Sequence, residues 1–299
     1  MVKRWILLII VAFFGAGVLS AQVAEIGICG GVSFYMGDLN PKGVFKGSMP
    51  AGGLLFRYNI SPRFAFKATA LFGSIKGDDA KTGNTGRNLN FTSPLSELSA
   101  QIEINFLRLF NERGANPFTP YLFAGVGVFS FNPQTELGQK TYDLQPLGTE
   151  GQGLIDPNTG ESYGKKYSLI SFSIPFGFGM RVNFLKYCCI GIEWGFSKTF
   201  TDYLDDVSKN YVDRDFLFIE RTELVANLAD RTLNELPNGD PDFHKAGTAR
   251  GNNAKTTDWY SFATVSFTIK LNYKQDCLKD KRTFSKSYKR NTVNKRKAN

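Results

Sequence analysis

The fold class this sequence predicts is all-β: an eight-stranded antiparallel β-barrel crossing an outer membrane. Three observations predict it. Eight segments alternate apolar with small or polar residues at period two, with no convincing long helix between them. The connections between those segments alternate short and long, as in barrels with tight turns at one rim and loops at the other. The second face of the segments is mostly Gly and Ser with isolated charges, unlike the charge-rich outer face of a soluble barrel of lipocalin type, which is the alternative.

Before the strands comes a leader. Lys3 and Arg4 precede the apolar run WILLIIVAFFGAGVL, and Leu19-Ser20-Ala21 ends in a small residue. Residues 1–21 therefore read as a cleaved secretory signal, with the mature chain starting at Gln22. A membrane anchor is the alternative, but an apolar run of about 15 residues is short for a spanning helix.

The first strand sets Ala24, Ile26, Ile28, Val32 and Phe34 against Glu25, Gly27, Cys29, Gly31 and Ser33. The second opposes Leu54, Phe56, Tyr58 and Ile60 to Leu55, Arg57 and Asn59. The third opposes Phe64, Phe66, Ala68, Ala70 and Phe72 to Lys67 and Thr69, and the fourth opposes Leu98, Ala100, Ile102, Ile104 and Phe106 to Gln101, Glu103 and Asn105. In the fifth, YLFAGVGVFS, either face could be the apolar one. The sixth sets Ile170, Phe172, Ile174, Phe176 and Phe178 against Ser171, Ser173, Gly177 and Arg181. The seventh sets Ile190, Ile192, Trp194 and Phe196 against Gly191, Glu193 and Gly195. The eighth sets Ala263, Val265, Phe267, Ile269 and Leu271 against Thr264, Ser266, Thr268 and Lys270.

Aromatic-rich faces suit lipid. The charges Glu25, Arg57, Lys67, Glu103, Arg181, Glu193 and Lys270 then point into a narrow lumen, where they can pair and where glycines leave room for longer side chains. Connections after the odd strands run to roughly 14, 22, 38 and 60 residues, whereas "SP", "NERGANP" and "LKY" follow the even ones. The expected organisation is a signal at 1–21, a barrel with long loops at 22–273 and a basic tail at 274–299. A chain delivered to the periplasm would place the short turns and the tail there and the long loops outside the cell.

The net charge of +9 is concentrated at the end of the chain: from Asn272 onward ten Lys/Arg face two Asp. Lys279, Lys281, Arg282, Lys286, Lys289, Arg290, Lys295, Arg296 and Lys297 make the tail a candidate partner-binding segment for an anionic protein or lipid surface. Nucleic acid is not an expected partner of an exported protein, and a plain solvated end is the bland alternative.

Little in the sequence carries chemistry. An eight-stranded lumen fills with side chains, so a general pore is not expected. His244, the single histidine, lies in the last long loop, and Ser208 with Asp205 or Asp206 would have to be held beside it to form a triad. No catalytic residue is assigned, and no cofactor is expected. Asp202, Asp205, Asp206 and Asp213 offer oxygen ligands for calcium but lack the spacing and glycine of an EF-hand loop. The stretches GSIKGDDAKTGNTGRNLN and LIDPNTGESYGKK read as turns. Cys29, Cys188, Cys189 and Cys277 have no metal-site spacing, and a single disulfide stays open. Phe216 to Leu236 has helical spacing, with loop self-packing or partner docking as its uses.

Three stretches together resemble a known family. They are AEIGICGGVSFYMGDLN (Ala24–Asn40), YLFAGVGVFSFNP (Tyr121–Pro133) and IGIEWGFSKTFTDYLDDVSKNY (Ile190–Tyr211). They look like the PorG family, outer-membrane proteins of the type IX secretion system of Bacteroidetes. The resemblance implies a non-enzymatic barrel associated with the periplasmic ring of PorK/GldK- and PorN/GldN-type proteins, in a machine that also supports gliding motility in some relatives. It makes Gly37, Asp38, Leu39, Asp202, Tyr203, Asp205 and Asp206 structural. Both motifs follow odd-numbered strands, so they are expected to meet at the outer rim as a partly exposed latch, with loop lysines among its partners. A small outer-membrane enzyme or ligand-binding barrel is the alternative function.

Overall fold

Period-two alternation becomes a closed wall in the computed structural model of the chain, which describes residues 23–40, 47–83, 86–107, 118–185, 187–232, 245–251 and 257–271. Eight long strands build it: β1 (Val23–Met36), β2 (Met49–Asn59), β3 (Phe64–Asp78), β4 (Asn90–Asn105), β5 (Phe118–Phe131), β8 (Ile170–Leu185), β9 (Cys188–Thr199) and β10 (Trp259–Lys270). Each pairs antiparallel with its neighbours, β10 returns to β1 (Ile28 opposite Phe267), and β3 meets β4 (Lys67 opposite Gln101), so no edge is left open. A short hairpin, β6 (Gln134–Leu137) and β7 (Lys140–Asp143), stands outside the wall on one bridge from Thr92 to Gln134.

The alternation decides which solvent each face meets. Ile28, Leu54, Phe72, Leu98, Ile102, Val126, Phe172, Ile192 and Val265 point outward and are exposed, around every part of the wall. A closed barrel with an apolar outer belt is the transmembrane type. On β8 and β9 the belt is aromatic: Phe176 stacks on Phe196, and Phe178 meets Trp194 edge-on.

The ambiguous fifth strand is resolved by packing. Leu122 and Val126 face outward, whereas Tyr121, Phe123, Phe129 and Phe131 are buried in the lumen. Glycine makes room for them: a Cβ on Gly179 would stand 2.4 Å from the Tyr121 ring. The inner face is thus less uniformly small than its Gly and Ser content suggests.

Two further points correct the sequence reading. The stretch read as a turn from Gly73 is strand through Asp78, followed by a single helical turn, α1 (Asp79–Thr82). The segment from Phe216 forms parts of two short helices, α3 (Arg214–Glu220) and α4 (Glu223–Ala229), after the earlier turn α2 (Leu144–Leu147). Leu217, Ala226 and Ala229 pack on Val212, Leu154 and Tyr163, which is the self-packing use. The expected signal, the basic tail, His244 and Cys277 lie outside the described residues.

Candidate functional site

At the end of the barrel where β1 begins and β2 turns into β3, the lumen holds an ion network. Arg57 of β2 donates from Nε to Glu103 Oε2 at 2.7 Å, from Nη2 to Glu103 Oε1 at 3.0 Å and from Nη1 to Glu25 Oε2 at 3.1 Å. Lys67 bridges Glu103 (3.3 Å) and Glu193 (2.5 Å). Arg181 lies 3.8 Å from Glu25 and 3.9 Å from Glu103, and donates to Asn59 and Asn105. Lys270 donates to Asn183 at 2.9 Å. The structure therefore brings Glu25, Arg57, Lys67, Glu103, Arg181 and Glu193 into one connected cluster and leaves Lys270 beside it. Aromatic faces complete it, with Lys67 Nζ 4.1 Å from the Phe123 ring centre and the Tyr121 hydroxyl donating to Glu193 at 2.8 Å.

Farther along the lumen stands a carboxylate the sequence reading missed. Glu97 accepts from Tyr260 (2.5 Å) and Ser197 (3.0 Å). It shares the parity of Gln101 and Glu103, which was the signal available. Between Glu97 and the Lys67–Glu193 pair lies a cavity of about 30 Å³, also lined by Cys29, Gln101 and Ser266. That is space for one or two waters, far below the several hundred Å³ of an organic-ligand site.

Beyond Glu97 the lumen becomes apolar and runs without a break into the loops. Tyr35, Leu39, Ile75, Phe91, Leu95, Phe129, Leu144, Leu204, Val207 and Tyr260 form one core, so the loops cap the barrel. Two buried arginines tie the cap. Arg87 grips Asp79 with two bonds of 2.7 Å and donates to the carbonyls of Asp38 (2.9 Å) and Arg250 (2.7 Å). Arg250 donates to the carbonyls of Asp206 (2.6 Å) and Ala229 (3.1 Å) and to Glu150 Oε1 at 3.3 Å. All four long connections are joined through these two side chains.

The two rim motifs do meet, but the latch is buried, which corrects the expected partial exposure. Leu39, Asp38, Asp205 and Asp206 are buried, while Asp202 and Tyr203 are half-buried. Among the described residues the partners of Asp205 and Asp206 are hydroxyls and arginines rather than lysines. The Tyr35 hydroxyl lies 2.5 Å from Asp205 Oδ2 and 3.0 Å from Asp258 Oδ1. Asp206, in the left-handed region with φ of 66°, accepts from Thr149 and from Tyr167 (2.6 Å). Tyr203 stacks on Tyr167 with ring centres 4.4 Å apart. Gly37 is explained by space: a Cβ there would fall 2.0 Å from Asp258 Oδ1 and 2.2 Å from the Tyr35 oxygen.

Electrostatically the cap is an acidic pocket in apolar surroundings. Burial pushes Asp202 up to about 7 and Asp206 up to about 6, in the latter case against the pull of Arg250. Burial and the neighbouring acids also raise Asp205 and Asp258 well above the usual aspartate range, while Arg250, despite its burial, is held higher by Glu150 and Asp206.

The four aspartates considered for calcium do separate jobs. Asp205 faces Tyr35, Asp206 faces Thr149 and Tyr167, Asp213 caps α3 by accepting from Phe216 N (2.8 Å), and Asp202 lies half-buried near Ser208. Among the described residues no group of three His, Cys, Asp or Glu side chains is placed to hold a metal ion. His244, which the triad considered with Ser208 would need, lies outside the described residues. Cys29, Cys188 and Cys189 are free thiols, with Cys189 buried and its neighbour Cys188 partly exposed.

Residues 3–145 match a family described as a domain of unknown function (DUF6089). No curated protein matches the chain. Several solved structures are similar to it in strand arrangement. One is Ail, the attachment invasion locus protein of Yersinia pestis, in complex with the heparin analogue sucrose octasulfate; it is 9% identical, with 84% of this chain and 97% of Ail covered and a TM-score of 0.36. Neisserial surface protein A (NspA) is 10% identical, with coverage of 84% and 98% and a TM-score of 0.36. The N-terminal β-barrel domain of Pseudomonas aeruginosa OprF is 9% identical, with coverage of 83% and 98% and a TM-score of 0.33. At these scores the likeness adds nothing to the strand pairings, on which the barrel rests.

Proposed function

We propose that this protein is a structural component of the type IX protein secretion machinery. In this reading the barrel sits in the outer membrane with its long loops outside, and links a periplasmic ring of PorK/GldK- and PorN/GldN-type proteins to that membrane. One observation carries the non-conducting, non-enzymatic part of the reading. The lumen is occupied along its length, by the ion network at one end and by an apolar core continuous with the cap at the other. A barrel filled in this way suits an anchor better than a conduit or a ligand carrier. The three stretches that resemble the PorG family supply the identity of the machine. The basic residues beyond Asn272 supply a partner-binding segment at the periplasmic end, where the short turns offer little surface.

Purification in mild detergent tests it. The full chain is expected to bring the ring proteins with it, and a chain truncated after Tyr273 is expected to remain a folded barrel that no longer does so. Full co-purification by the truncated barrel would remove the tail from the reading. Absence of ring proteins from the full chain under several mild detergents would remove the reading itself.

A further inference from the structure

The Tyr35 hydroxyl has one hydrogen but two carboxylate oxygens within hydrogen-bond distance, Asp205 Oδ2 at 2.5 Å and Asp258 Oδ1 at 3.0 Å. It can donate to only one of them. The other contact closes only if that carboxyl group carries a proton and donates to the phenol oxygen. The remaining oxygens are already committed: Asp205 Oδ1 accepts from Val207 N and Asp258 Oδ2 from Leu204 N, both at 3.0 Å. The three groups come from separate places, the loop end of β1, the start of the last long loop and the residue before β10.

We propose that Asp205, Tyr35 and Asp258 form a proton-operated latch. One proton shared by the two carboxyl groups fastens the base of the last outer loop to the barrel rim, and its loss releases that base.

The charges facing the latch favour keeping the proton. Asp38 approaches Asp205 from the first loop, and Asp202 approaches Asp258 from the same loop as Asp205. Among the described residues Arg87 is the cation near Asp205, and its guanidinium is already engaged by both oxygens of Asp79 and by two carbonyls. Complete ionisation would therefore collect negative charge in an apolar core, against Leu39, Leu204 and Val207. Burial and those neighbours raise the proton affinity of both carboxyl groups, which agrees with a proton held in the closed state. The inference concerns control of the outer surface and does not depend on the secretion reading.

Hydrogen exchange of the full-length protein in detergent micelles tests the latch, followed by mass spectrometry over residues 200–212 and corrected for intrinsic rates. Protection there is expected to fall by about tenfold or more between pH 5 and pH 9. Asp205→Asn keeps the size of the group and supplies a permanent donor to the Tyr35 oxygen, so it should remove most of the fall and leave the smaller part that Asp206 contributes, and Asp258→Asn should behave alike. Asp202→Asn should shift the transition but keep it. Equal protection at both pH values in the wild type would overturn the proposal without any variant. So would a fall of undiminished size in folded Asp205→Asn and Asp258→Asn, or its disappearance in Asp202→Asn.

Discussion

Arg57 and Glu103 face each other across the lumen in a fork-to-fork pair, Nε to Oε2 at 2.7 Å and Nη2 to Oε1 at 3.0 Å. Their strands, β2 and β4, are not neighbours in the wall, so the pair braces the barrel from within. Both side chains are almost wholly buried, so removing one strands the charge of the other. Arg57→Met is expected to cost about 3 kcal/mol in equilibrium urea unfolding in lipid vesicles. The double change with Glu103→Leu should cost less than the sum of the two single changes.

Exposure means different things on the wall and in the loops. Val126 is 67% exposed on the outer face of β5, and Ile155 is 64% exposed in the loop after it. Val126→Arg puts a charge into the belt and is expected to destabilise the barrel by about 2–4 kcal/mol. Ile155→Arg should change unfolding by no more than about 0.5 kcal/mol. Comparable losses at the two sites would argue against the membrane reading.

Glycine at the rim has a steric reason. Gly37→Ala drives a methyl into Asp258 Oδ1 and the Tyr35 oxygen, at a cost of about 1–3 kcal/mol and with loss of loop protection from protease. Gly30 has open space around its Cβ position, so Gly30→Ala should leave the melting temperature nearly unchanged.

Asp206 makes the cap sensitive to pH in a defined direction. Its folded-state affinity for a proton is raised, from 3.8 to about 6, by burial. Its contribution to stability is thus fully present below about pH 4 and is lost as pH rises through about 6. The loss is at most about 3 kcal/mol. Asp206→Asn should therefore cut the difference in limited proteolysis of residues 200–232 between pH 5 and pH 8, while a larger difference in the variant would reverse the sign argued here.

The wall was legible because lipid and lumen impose opposite demands on successive residues, and a two-residue period records that in each strand. The lumen charges followed from parity, and Glu97 was available by the same rule. The cap was much less legible. Arg87 sits in a stretch that reads as a turn, and nothing local shows that its guanidinium reaches Asp79, Asp38 and Arg250. The rim motifs were found as a pair, but their burial and their tyrosine and arginine partners were not.

Alone, the sequence determined the barrel, its lipid face and the residues that charge its lumen, because alternation along a strand is local information. Only the tertiary structure decided that Tyr35, Asp205 and Asp258 converge under a closed cap, that Glu97 stands apart from the ion network and that the calcium candidates part company. Those outcomes depend on contacts between segments far apart in the chain, such as Tyr35 with Asp258, and on how much water the folded loops leave around each carboxylate.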